Sequence, residues 1–138
     1  MKELDDILQL RRDINSIDDR MTELKQSIFP KPQIISDMPR GGGERKNGIE
    51  EYIIKFDRLE RKKNRLCCEI SNKWSELEKT FPDHGITEAQ GRMLFFRFFY
   101  GMSWRCCVER MEEEYPQTTW NEPKLFRIYR KIIYKFKK

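Results

Sequence analysis

The chain has 138 residues, 37% of them charged and 38% hydrophobic, with a formal net charge of +5. That length fits one domain or a small domain with a long hairpin, and so thin an apolar share suits a helical, surface-rich shape better than a thick globule. No run approaches the roughly 18 apolar residues of a membrane span, MKELDDILQL is too acidic for a secretion signal, and four cysteines without such a signal point to a reduced, cytoplasmic setting.

From Leu4 onward the apolar positions are Leu4, Ile7, Leu10, Ile14, Ile17, Met21, Leu24 and Ile28. From Ile7 their spacing alternates three and four with polar residues between, which is a coiled-coil seam. Phe29-Pro30-Lys31-Pro32 stops this helix, because proline lacks the backbone donor and clashes with a continuing turn. A joint of turn residues spans 29–48, with glycines at 41, 42 and 43 beside Arg40, Arg45 and Lys46. It reads as a hinge, with a mobile contact to DNA or protein as the sharper alternative.

A second helix is expected from Asn47, a candidate cap with Glu50 three residues later. Its seam is Ile49, Tyr52 or Ile53, Phe56, Leu59, Lys63, Leu66, Ile70, Trp74 and Leu77. Two such stripes predict an antiparallel hairpin over residues 1–80, roughly 40 Å long at 1.5 Å per residue. Parallel dimers of each helix are the competing arrangement, and apolar surface left over points to a homodimer or a protein partner.

Thr80-Phe81-Pro82-Asp83-His84-Gly85 separates that rod from a compact end, residues 81–138. Thr87 and Gln90 form a capping box opening GRMLFFRFFY, a segment apolar on nearly every side and therefore buried. Gly101 sits where a left-handed residue ends a helix, and Ser103 can cap the next one, WRCCVERMEEE. Its inward face is Trp104, Cys107, Val108 and Met111; its polar face is Arg105, Glu109, Glu112 and Glu113. Pro116 stops it. After QTTWN, Asn121 can cap and Pro123 fits the first turn of a last helix with Leu125, Ile128, Ile132 and Phe136 inward.

Charge is distributed unevenly. Residues 1–80 carry 17 basic and 16 acidic side chains and residues 81–116 four and six, whereas from Gln117 onward there are seven basic residues and one acid, Glu122. The positive field belongs to the last helix, which points to a polyanion or an acidic protein as partner. Three short helices ending in a cationic one describe a helix-turn-helix for double-stranded DNA. Lys124, Arg127, Arg130, Lys131 and Lys135 would meet mainly phosphates, and Asn121, Lys124 and Arg127 are the candidates for reading bases. Ser103 and Arg105 sit where a helix N-terminus can hold a phosphate.

FFYGMSWRCCVERM resembles the segment before the turn in the promoter-reading fourth region of bacterial sigma factors, and LFRIYRKIIYKF is similar to its recognition helix. The layout, with Asp37-Met38-Pro39-Arg40 before the glycines of the joint, also resembles sigma-like regulators of phages and prophages of Gram-positive bacteria, the RinA and ArpU type of late-operon regulator. The connection EYPQTTWN is longer than that family's tight turn. The resemblance implies a DNA-binding activator of late or packaging genes in the host bacterial cytoplasm, with the hairpin dimerising or touching host RNA polymerase. The alternatives are a small terminase-like packaging subunit and a coiled-coil module whose basic helix docks on an acidic protein.

Cys67-Cys68 and Cys106-Cys107 are vicinal pairs whose side chains point about 100° apart on a helix, so packing thiols are a plainer reading than a zinc site. His84 is the lone histidine, and no nucleophile with a base, phosphate loop or paired carboxylates is apparent. No enzyme activity, cofactor or metal is expected.

Overall fold

A computed structural model describes the backbone of residues 1–28 and 42–137 and the side chains of residues 1–28 and 48–137. Its elements are all helical: α1 (Lys2–Ile28), α2 (Gly42–Lys79), a 3₁₀ turn (Pro82–His84), α3 (Glu88–Leu94), a π-helical stretch (Phe95–Phe99), α4 (Trp104–Glu114) and α5 (Glu122–Lys137). The all-α class follows from the 3/4 spacing. Two compact units are present, Met1–Arg12 with Cys68–Lys138, and Asp13–Cys67. The division therefore runs through both long helices, and residue 80 lies inside the larger unit.

In the smaller unit α1 and α2 run antiparallel. Asp18 of α1 pairs with Lys63 of α2 at 2.6 Å, while Arg20 and Leu24, later in α1, share a shallow groove with Lys55, Arg58 and Leu59, earlier in α2. The lysine inside the second stripe thus meets a carboxylate. Ile14 and Ile17 are buried. Of the two apolar candidates at 52 and 53, Tyr52 is half-buried with its ring 5.4 Å from Phe56, whereas Ile53 is 58% exposed. Ile49 also faces solvent, contrary to its place in the expected seam. Asn47 is not the cap of α2, because the helix already begins at Gly42; the intervening Glu44, Arg45 and Lys46 are good helix formers that carry it upstream. The proline-rich part of the joint, 29–41, lies outside the described residues.

The larger unit is built on aromatic packing. Trp74 of α2 lies 5.7 Å from Phe81, 5.3 Å from Phe95 and 6.1 Å from Phe99, centroid to centroid. In the same unit Leu4, Ile7, Ile70, Met93, Leu94, Phe96, Cys107, Met111, Leu125 and Ile132 are almost completely buried. Each large apolar side chain of that set contributes about 1.5–3 kcal/mol from burial alone. Thr87 and Gln90 form the expected capping box at the start of α3.

The apolar segment does not continue as one α-helix. After Leu94 the backbone widens, and the Tyr100 N–H reaches the Phe95 carbonyl at 3.1 Å. Phe95 and Phe99 stack at 4.7 Å while Phe96 and Phe98 turn into the core. The Phe99 carbonyl accepts from Arg11 Nε of α1 at 2.6 Å, and Gly101 then takes the left-handed conformation at φ 70°. That turn sets where α4 begins.

Candidate nucleic-acid interface

Local signals start both helices of the site. Ser103 is extended and its Oγ accepts from the Cys106 N–H at 3.2 Å; Asn121 Oδ1 accepts from the Lys124 N–H at 2.9 Å. Each cap satisfies a backbone donor that the first helical turn leaves open. Cys107 and Met111 bury the inner face of α4, and Leu125 and Ile132 that of α5. The two helices meet through Trp104, whose ring lies 4.9 Å from Phe126 and 5.6 Å from Tyr129.

The long connection between them is closed on itself. The Tyr115 carbonyl accepts from the Thr118 N–H at 3.2 Å and from Trp120 Nε1 at 3.0 Å, and Trp120 is buried. Lys124 folds back over this plug, with its ammonium 4.6 Å from the Trp120 ring and donating to the Thr119 carbonyl at 2.9 Å. The extra residues of EYPQTTWN thus form an anchored turn.

These bonds sort the predicted site residues. Arg127, Arg130 and Lys131 are exposed on one side of α5, and none forms an ion pair among the described residues. Arg105, exposed at the start of α4, is likewise without an ion pair among them. Lys124, by contrast, is held by the turn, and Lys135 donates to the Gly85 carbonyl at 2.9 Å. Asn121 spends its carbonyl oxygen on the cap, whereas a bidentate contact to adenine needs acceptor and donor together. Ser103 likewise spends its hydroxyl oxygen on its own helix.

Arg92, Arg97 and Arg110 serve packing. Arg92 grips Glu114 through Nη2–Oε1 at 2.7 Å and Nε–Oε2 at 3.1 Å, and its guanidinium lies 4.8 Å from the Phe96 ring. Their hydrogen bond raises the arginine's pKa and lowers that of the carboxyl. Arg110 faces Phe96 as well, at 5.4 Å, and pairs with Glu113 at 3.5 Å. Arg97 donates to the Met102 carbonyl at 2.7 Å and lies 5.1 Å from the Trp104 ring, so it backs the residue that joins α4 to α5. Burial pushes the Cys107 thiol up to about 11, which makes it a packing group. Cys67 is half-buried, Cys68 and Cys106 are exposed, and no group of three potential metal ligands occurs among the described residues. Also among them, no helix is long and apolar enough to cross a membrane.

Phe126 escaped sequence reasoning. It is 42% exposed beside Arg127 and Arg130. Its signal was present: once the 125/128/132/136 stripe is assigned inward, Phe126 is an apolar residue left among cations. No protein-family model, curated protein or solved structure matches this chain.

Proposed function

We propose that this protein is a DNA-binding transcription regulator of the sigma-like phage or prophage type, which docks on duplex DNA through α4 and α5. The observation that carries the reading is the set Arg127, Arg130 and Lys131, outward on α5 and without carboxylate partners among the described residues. Unpaired cations on a rigid helix exchange condensed counterions for phosphates at little conformational cost. Arg105 at the capped start of α4 extends the same field, and helix N-termini favour anions. The reading assigns no catalytic step. Promoter choice rests on the resemblance of 98–111 and 125–136 to the sigma fourth region, activation of late or packaging genes on the layout's resemblance to phage late-operon regulators, and the long helices supply self-association or polymerase contact.

The test is fluorescence anisotropy on labelled duplex DNA at several salt concentrations. Four phosphate-contacting cations give a slope of log K against log salt of about −3 to −4. The Arg127→Ala/Arg130→Ala/Lys131→Ala variant, which leaves the core untouched, should lose about three-quarters of that dependence, leaving a slope of about −1. Binding by the parent that is indifferent to salt, or unchanged in the triple variant, overturns the assignment. Light scattering adds a second check: a monomer or dimer agrees with a regulator, and a ring of eight or more subunits with a packaging protein.

A further inference from the structure

We infer that Phe126 reads thymine in the major groove by packing its ring on the C5-methyl group; the inference rests on the proposed docking of α5 on duplex DNA. Three observations single this residue out. First, the polar side chains placed to read bases at the start of α5 are committed within the protein: Asn121 Oδ1 to the Lys124 N–H, and Lys124 Nζ to the Thr119 carbonyl. Direct readout then falls to what the first two turns still present outward, and of the exposed side chains there, Glu122, Pro123, Phe126 and Arg127, Phe126 is the one large apolar group.

Second, Phe126 is exposed yet positioned. It is 42% accessible, but its ring lies 4.9 Å from that of Trp104, and Trp104 in turn has the Arg97 guanidinium 5.1 Å from its ring. A backed ring loses little rotamer freedom when it meets a ligand, so the contact keeps most of its hydrophobic gain.

Third, its neighbours select the ligand. Arg130 lies four residues beyond Phe126 and Arg127 one, so the three share roughly 100° of helix surface. An apolar protein partner would leave both guanidinium groups desolvated and unpaired, which is costly. Duplex DNA offers phosphates to the arginines and, between the strands, an apolar group that a ring can cover: the thymine methyl.

The experiment compares two short duplexes of alternating A·T pairs, identical except that one carries deoxyuridine in place of every thymine. Wild type should bind the thymine duplex more tightly by about fourfold for each methyl group covered, the value for removing one carbon from water. Phe126→Ala should bind both duplexes alike, and Phe126→Leu, still apolar, should keep part of the preference; the coupling between ring and methyl is the difference between the two effects. Equal wild-type affinity for the two duplexes, with salt-dependent binding intact, overturns the inference and leaves the proposed function standing. So does a preference that survives unchanged in Phe126→Ala. Loss of salt-dependent binding to both duplexes by the wild type overturns the proposed function together with it. The wild-type comparison stands even if Phe126→Ala folds poorly, which circular dichroism would report.

Discussion

Gly101→Ala tests the turn that sets the start of α4. Gly101 has φ 70°, and a Cβ built there would lie 2.8 Å from Arg11 Cγ. Two costs follow. The left-handed conformation costs a non-glycine residue about 1–2 kcal/mol. Arg11 must also withdraw, breaking its 2.6 Å bond to the Phe99 carbonyl and its position 5.3 Å from the Phe99 ring. For a half-buried, charge-assisted bond that adds about 1 kcal/mol. The sum is about 2–3 kcal/mol, which for a chain of this size lowers Tm by about 8–12 °C. Urea titration of parent, Gly101→Ala, Arg11→Ala and the double variant separates the two costs. With Arg11 already truncated, Gly101→Ala should cost only the conformational share, a coupling of about 1 kcal/mol. An identical loss in both backgrounds would refute the clash, and an unchanged midpoint would refute the whole account of the turn.

Chemical labelling gives a second check: at pH 8 the exposed Cys68 and Cys106 should react promptly with Ellman's reagent, whereas Cys107, with its pKa near 11, should react only on unfolding. Mass spectrometry of labelled peptides resolves the sites. Arg92 holds the Glu114 carboxyl below its ordinary pKa, so its stabilisation is complete above the usual carboxylate range and is lost as pH falls through the lowered value. Because both partners are more than a third exposed, Glu114→Gln should cost no more than about 1 kcal/mol at pH 7, and the difference from the parent should close at low pH in urea melts. Asn121→Ala removes the cap of α5 and should lower stability by about 1 kcal/mol in the same assay. Ile132→Ala empties a fully buried site on the inner face of α5 and should cost about 2–5 kcal/mol without touching the outward cations.

The sequence by itself determined the features that depend on near neighbours. Thr87 with Gln90, Ser103 and Asn121 start their helices as caps, Gly101 is left-handed, and Pro116 lies just beyond the end of α4, because these signals act within about one helical turn. The stripes of α1, the later half of α2 and α5 were legible for the same reason: a 3/4 repeat marks one face whatever lies opposite. What lies opposite was decided only by tertiary structure. Tyr52 and not Ile53 turns inward, Lys63 finds Asp18, and the aromatic run widens into a π-helix whose last carbonyl takes Arg11 from far along the chain. The candidate site shows the limit most clearly, since seven cations in one segment are equal in composition. Folding ties Lys124 to Thr119 and Lys135 to Gly85 and leaves Arg127, Arg130 and Lys131 outward, because a cation's availability depends on which carbonyls and rings the fold brings within its reach.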